Sequence, residues 1–351
     1  MVMHHRVCSC VVSATKIGII GASGFTGAEL LRLCASHPDL EVVVATGDTQ
    51  AGTPVASLYP SLAAAYPDLV YAAYDPAAVS GLDLVFCALP HGSTQEVVAE
   101  ILGKVPRIVD LSADFRLKDP SLYPKWYGEE HHHPELLAEA AFGLPEHFRG
   151  EIGDARLVAA PGCYVTAAAL ALRPLVQRGI VESTGIVVDA ASGVSGAGKG
   201  LKAETAFCTV DEDFTAYSLL THRHTPEIEQ ATGGQVLFTP HLAPMNRGIL
   251  ATCYARPAEP TSTDEVLAAL HAAYAGEPFV VVSERSPSTK ATFGSNSAHI
   301  TARVDPRTHW VVVIAAIDNL MKGASGQALQ CANILLGRPE TTGLPVVGVY
   351  P

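Results

Sequence analysis

A chain of 351 residues, 48% hydrophobic and carrying a formal net charge of -12, is too long for one ordinary core and points to two domains. The acidic balance argues against a nucleic-acid surface, which needs basic patches, and no segment approaches the apolar length of a membrane span. Cysteines at positions 8, 10, 34, 87, 163, 208, 253 and 331 show neither zinc-type pairing nor a dense disulfide framework, a pattern that suits a reducing cytoplasm.

Residues 1–14, "MVMHHRVCSCVVSA", contain a short apolar run with some basic character. The run is brief and leads almost directly into a strand, so an N-terminal extension is expected rather than a signal peptide. From 15 to about 160, strand-like and helix-like patterns alternate, the signature of a parallel sheet with helices on both faces. "TKIGIIGA" and "EVVVAT" are β-branched strands flanking the helical "GAELLRLCASHP", which His37-Pro38 stops.

Gly21, Gly24 and Gly27 lie between that first strand and its helix, where bare backbone N–H groups and the helix dipole can hold a pyrophosphate. The G-x-x-G-x-x-G spacing departs from the usual dinucleotide fingerprint, and a tight turn needing glycine only for steric reasons is the plainer alternative. The βαβ context favours the cofactor. The second strand ends in Ala45-Thr46-Gly47, leaving Thr46 available to a 2′-phosphate, which favours NADP; Asp48 could still serve the 2′-hydroxyl of NAD.

"CALPHGST" follows the third strand, at the carboxyl edge where doubly wound folds bind ligands. Ser93 or Thr94 is expected to cap the helix "STQEVVAEILG". The next strand is "PRIVDLSADF". In "EEHHHPEL", His131 to His133 are adjacent rather than spaced i, i+4, so no metal is expected there.

"LVAAPGCYVTAAALALRP" passes from a short strand through Pro161-Gly162 into a helix, with Cys163 at the junction. A free cysteine is ordinarily a small buried hydrophobe. At the first turn of a helix its thiolate is stabilised by unpaired N–H groups and the dipole, and only the thiolate is a strong nucleophile.

From about 180 the strands lengthen: "GIVVDAA", "QVLFTP", "GILATCYARP", "PFVVVSE", "AHITARV" and "HWVVVIAAID". Few helices separate them, so an α+β domain with a mixed or antiparallel sheet is expected. "DAASGVSGAGKG" ends the first of these strands in a loop holding four glycines and Lys199, which suits either an anion or nicotinamide contact or a surface loop. "YSLLTHRHTPEIEQ" places His222, Arg223 and His224 together. A thiol nucleophile needs a base, and a histidine here can take the thiol proton and later exchange one with the substrate oxygen near working pH. The arginine between grips a carboxylate or phosphate through two hydrogen bonds; a solvated polar loop is the plainer alternative. Ser262 or Thr263 caps "STDEVLAALHAAYAG", and the last helix, "GASGQALQCANILLG", is expected to return to the first domain.

Across nearly its whole length the chain resembles the N-acetyl-gamma-glutamyl-phosphate reductases, similar in plan to aspartate-semialdehyde dehydrogenases. The resemblance is carried by "GIIGASGFTGAELLRL", "ALPHG", "DLSADFRL", "FGLPE", "APGCYVTAA", "SGVSGAGK", "HRHTPEI", "NRGILAT", "GSNSAHI" and "IAAIDNLMKGASGQALQ". It implies an α/β Rossmann-type NADP-binding domain over 15–162 with 321–351, and an α+β catalytic and oligomerisation domain over 163–320. It further implies Cys163 as nucleophile and His222 as catalytic histidine. Gly21, Ser23, Gly24, Phe25, Thr26, Gly27, Thr46, Ser192, Gly193 and Asn319 would bind NADPH, with Arg116, Arg223 and His224 on the substrate. The implied substrate is a small acyl phosphate and the implied assembly a homodimer or homotetramer. Val165 stands where many members carry proline, a difference of rigidity more than of chemistry. Related reductases acting on aspartyl phosphate or carrier-bound aminoadipyl phosphate, and a non-catalytic NADP-binding sensor, are the competing expectations.

Overall fold

The computed structural model describes residues 14–350; the expected extension lies, except for Ala14, outside the described residues. Strands β1 (Thr15–Ile20), β2 (Leu40–Ala45), β3 (Leu84–Cys87), β4 (Ile108–Asp110), β5 (Ala140–Phe142) and β6 (Leu157–Ala159) form one sheet. Its order is β2-β1-β3-β4-β6-β5, and every neighbouring pair is parallel. A parallel sheet is covered on both faces, which is why "LVFC" and "IVD" read as unbroken apolar runs.

Leu30, Leu31 and Leu33 of the helix Phe25–Ala35 pack with Ile17, Ile19 and Phe86. Ala328, Leu329 and Ala332 of the helix Gly326–Leu335 enter the same core, so the last helix does return to the first sheet.

The second sheet holds β7 (Ile186–Gly193), β8 (Thr215–Ala216), β9 (Val236–Ala243), β10 (Ile249–Ala255), β11 (Val280–Val282), β12 (Ala298–Val304) and β13 (Val311–Ile317). Its order is β11-β12-β13-β10-β7-β9-β8, with β7–β9 and β11–β12 parallel and the other pairs antiparallel. Alternate residues such as Ile186, Val188 and Ala190 turn inward onto the helices Cys163–Gln177 and Thr263–Ala273.

The helix Cys163–Gln177 is apolar on nearly every side and is therefore internal. Val165, Leu170, Leu172 and Leu175 are fully buried in it, each side chain contributing roughly 1.5–3 kcal/mol of transfer free energy. A helix so anchored is a rigid mount for the residue that begins it. The Thr263–Ala273 helix starts as expected, with a capping box between Ser262 and Glu265.

The other face of this sheet is left partly exposed by the described residues. Val187 pairs with Leu237 and Tyr254, and Tyr254 with Val312, making an apolar row across four strands; Leu237 is 52% exposed. Among the described residues no helix is long and apolar enough to cross a membrane.

One expectation is corrected here. Neither Ser93 nor Thr94 caps the helix Thr94–Ile101: Ser93 is αR, and its side chain makes no capping bond. Asp114 does the work from a distance, its carboxylate accepting the N–H groups of Gly92 at 2.7 Å and Thr94 at 2.8 Å.

Candidate active site

Cys163 is the first residue of its helix, preceded by Gly162 in an extended conformation at φ -65° and ψ 150°. Close approach makes glycine necessary at that position, since a Cβ there would run into the His224 ring. The electrostatics differ from the sequence expectation. Burial pushes the Cys163 thiol up to about 11, opposed by the Arg116 charge and by backbone N–H groups at the helix start. Desolvation of the thiolate outweighs the helix terminus when the surroundings are apolar.

Arg116 is held in place by its own donors, Nε to the carbonyl of Ala160 and Nη2 to that of Leu111, each at 2.8 Å. Its Nη1 faces Glu227 Oε2 at 3.5 Å. Glu227 is fully buried, and its Oε1 accepts the Gly162 N–H at 2.8 Å. Sequence reasoning passed over Glu227, although it lies three residues beyond His224 and so on the same helix face. Arg223, by contrast, is exposed at the start of that helix, and among the described residues no hydrogen bond or ion pair engages it.

The His222 and His224 rings meet edge to face at 4.7 Å. His222 Nδ1 accepts the His224 N–H at 3.1 Å, so the neutral His222 ring carries its proton on Nε2 and has no free nitrogen for the thiol proton, against the expected base role. Burial, then the nearby Arg223 charge, drives His222 down to about 4, so its titration lies well below the near-neutral range expected. Burial lowers His224 further. Tyr164, Tyr217 and Phe238 pack around His222 with centroids at 5.7, 5.5 and 5.3 Å. The Tyr217 hydroxyl donates to that of Tyr164 at 3.2 Å.

The glycine-rich turn fits a dinucleotide. Gly21 has φ +84°, and a Cβ there would stand 2.6 Å from the carbonyl oxygen of Ala88. The helix Phe25–Ala35 begins at Gly24 with no side-chain cap, leaving first-turn N–H groups for an anion; Phe25 and Thr26 are half-buried beside it and Gly27 is buried. Ser23 bridges to the Gly47 carbonyl, and its own carbonyl accepts the Tyr59 hydroxyl and Lys199 Nζ. Lys199 thus reaches from the second-sheet loop to the glycine turn.

Three cofactor expectations change. Thr46 is buried and its Oγ1 accepts the Gly21 N–H at 3.0 Å, so it braces the turn instead of standing free for a 2′-phosphate. Asn319 is buried with both ends occupied, accepting from Gly248 N–H at 2.7 Å and donating to Ser195 Oγ at 2.9 Å. It orders the loop after β7. Ser192 is also buried, donating to the Gly193 carbonyl. Each side chain lies at the carboxyl end of its strand, where the chain leaves the ladder and polar groups need partners.

The histidine triplet is dispersed. His131 Nε2 pairs with the Asp114 carbonyl at 2.7 Å, while His132 and His133 flank Glu96 at the surface. Among the described residues no group of three or more His, Cys, Asp or Glu could hold a metal ion.

Residues 16–155 match the family model described as semialdehyde dehydrogenase, NAD binding domain, and residues 163–319 that described as semialdehyde dehydrogenase, dimerisation domain. An N-acetyl-gamma-glutamyl-phosphate reductase of Symbiobacterium thermophilum is 50% identical over 346 residues, covering 96% of this chain and 99% of that protein. One from Jannaschia sp. is 48% identical over the same shares. In fold the chain is similar to aspartate semialdehyde dehydrogenase II of Vibrio cholerae complexed with ASA, at TM-score 0.70 and 14% identity over 93% of this chain and 99% of that one. The aspartate semialdehyde dehydrogenase with NADP from Candida albicans aligns at TM-score 0.62 and 15% identity, over 92% and 99%. With half its residues shared along almost the full length and a cysteine mounted between two such domains, the chain belongs to the N-acetyl-gamma-glutamyl-phosphate reductase family of oxidoreductases.

Proposed function

We propose that the chain reduces N-acetyl-glutamyl 5-phosphate to N-acetyl-glutamate 5-semialdehyde and phosphate with NADPH, in arginine biosynthesis, through a thioester on Cys163. The carrying observation is the placement of Cys163 at the start of a buried helix, between Arg116 and the Gly162–Glu227 bond.

The Cys163 sulfur attacks the acyl carbon, and the electron pair moves to the carbonyl oxygen. N–H groups at the helix start face that oxyanion. The C–O bond to phosphate breaks and the thiol proton passes to the departing phosphate oxygen, leaving the thioester and hydrogen phosphate. When bound on the glycine turn, NADPH supplies the hydride for reduction at the thioester carbon. His222, protonated on Nε2, donates a hydrogen bond to the substrate oxygen, and release of the thiolate frees the aldehyde. Splitting the reaction at sulfur works because a thioester accepts hydride readily and a thiolate leaves readily. Arg116 stabilises charge at the sulfur, Arg223 receives the substrate's anionic group at the mouth, and the buried, neutral His224 ring borders the substrate from behind Gly162. Gly21 to Gly27 carry the cofactor, with Ser23, Phe25 and Thr26 lining it, and Thr46, Ser192, Gly193 and Asn319 order the surrounding backbone.

The division we propose is a cofactor unit of 15–162 with 321–351 and a catalytic unit of 163–320. The partly exposed apolar face of the second sheet supports a homodimer or a tetramer built from it. A reducing cytoplasm is the compartment that keeps the thiol free.

Assay in the reverse direction with NADP, phosphate and each of three semialdehydes tests the substrate. N-acetyl-glutamate semialdehyde should be the preferred one; preference for the aspartate or carrier-bound aminoadipate compound would overturn it. Cys163→Ser should bind NADP normally and lose activity, and full activity in that variant would end the thioester mechanism.

A further inference from the structure

Residues Asp318 to Ser325 touch the loop after β7, the cofactor helix and the nucleophile. Asn319 orders the Ser195 loop and Gly248. Ser325 Oγ donates to the Thr26 carbonyl at the cofactor helix, 2.8 Å away. The segment Met321–Ser325 is a π-turn, with the Gly323 N–H bonded to Asp318 O and the Ser325 N–H to Leu320 O, both at 2.9 Å. π-turns are rare and concentrate at functional sites. Here the widened turn presses Gly323 onto the nucleophile: a Cβ at 323 would lie 2.8 Å from the Cys163 Cβ.

Next to Gly323, the Lys322 side chain runs into the interior and is fully buried. Its Nζ lies 2.6 Å from Glu146 Oε1 and 2.8 Å from Gln330 Oε1, above the Phe279 ring at 5.5 Å. Gln330 Nε2 donates back to Glu146 Oε1 at 3.2 Å. Burial alone would raise the Glu146 carboxyl, yet the Lys322 charge holds it below its ordinary value. Such a pair contributes little net stability, because desolvation offsets attraction, and well-packed apolar residues often substitute without loss. Nothing in the chemistry at Cys163 uses either charge.

We infer that Lys322 is a positioning residue: its bond to Glu146 pegs the π-turn in register, and the pegged turn sets the Cys163 sulfur against the cofactor loop. The peg is directional where a hydrophobic side chain would not be. An ammonium ion must meet two oxygens at fixed distances, so the backbone at 322 cannot slide without breaking them. Misplacement of a reacting group by about 1 Å is enough to cost about a hundredfold in rate.

The inference rests on Cys163 as the nucleophile, and Cys163→Ser tests that separately. The variant that tests the peg is Lys322→Met combined with Glu146→Leu, an apolar pair of similar volume. It should melt near the wild-type temperature and bind NADP normally. Its kcat in the reverse direction should fall about tenfold or more while KM for the semialdehyde stays within about twofold. Iodoacetamide should modify Cys163 about threefold faster, because the wall behind the sulfur is loosened. Wild-type kcat and alkylation rate in the folded double variant would overturn the proposal, as would a loss of activity matched by the fraction unfolded. Should the double replacement not fold, the isosteric Glu146→Gln carries the same two readouts: slower turnover with faster alkylation supports the peg, and unchanged values overturn it.

Discussion

Glu227 accepts the N–H of Gly162 at 2.8 Å, tying the helix that begins at His224 to the residue before the nucleophile. Its second oxygen faces Arg116, the charge that acts most strongly against the burial of the Cys163 thiol. One carboxylate therefore sets both the turn that presents the sulfur and the cation beside it.

Removing that carboxylate should be costly twice over. Glu227→Ala leaves a buried guanidinium without its partner and a buried N–H unpaired, and should destabilise the fold by about 3 kcal/mol. Glu227→Gln keeps an acceptor for Gly162 and should lose less. Urea denaturation of the two variants compares them; equal stability in Glu227→Ala and wild type would contradict the role.

The thiol of the free protein titrates high, so its alkylation should climb about tenfold per pH unit between pH 7 and 9 with no plateau. Arg116→Gln removes the charge that favours the thiolate and should slow alkylation at pH 8 by about threefold or more. Iodoacetamide labelling followed by mass spectrometry at Cys163 measures both. A plateau below pH 8 would mean a thiolate already formed.

Acid should weaken the fold in a defined window. Burial holds His147 and His222 at about 4, below the about 6.5 of an unfolded histidine. Between those values the unfolded chain binds protons that the native one does not, so stability rises with pH through the window and is lost on acidification. Melting temperatures from pH 4 to 7 should show the slope, and His147→Gln, outside the cluster around Cys163, should make it shallower.

Gly21→Ala forces a side chain into a backbone at φ +84° and against the Ala88 carbonyl. A loss of about 1–3 kcal/mol follows from strain and crowding. NADP affinity should fall with it, since the turn that exposes the Phe25–Ala35 helix start is displaced. Calorimetric titration and thermal melting check the two effects; undiminished affinity would detach the turn from the cofactor.

A charge on the partly exposed sheet face should separate subunits. Leu237→Glu and Tyr254→Glu place carboxylates in the apolar row formed with Val187 and Val312. Burying an unpaired carboxylate in an interface is strongly unfavourable. Sedimentation should show wild type as a dimer or larger and both variants as monomers.

Much of this molecule was legible from its chain because the signals are local. Apolar runs bounded by turns marked β1, β3 and the long strands of the second sheet. Ser262 three residues before Glu265 announced a capping box, and Pro161-Gly162 before an alanine-rich run placed Cys163 at a helix start. Such features depend on residues within one or two helical turns of each other. The resemblance to a known family rested on strings of the same kind.

Other features required the folded chain. Gly162 and Glu227 are 65 positions apart, and Lys322 and Glu146 are 176 apart. The sequence by itself determined the two sheets, the glycine turn and the cysteine's place at a helix terminus, since periodicity and backbone geometry act between neighbours. Only the tertiary structure decided that the thiol is raised rather than lowered, that His222 stays neutral, that Thr46 and Asn319 are spent on the scaffold, and that Asp114 caps a helix 20 residues away. Ionisation and hydrogen-bond satisfaction depend on which distant groups exclude water from a site, and that is known only once the chain has closed around it.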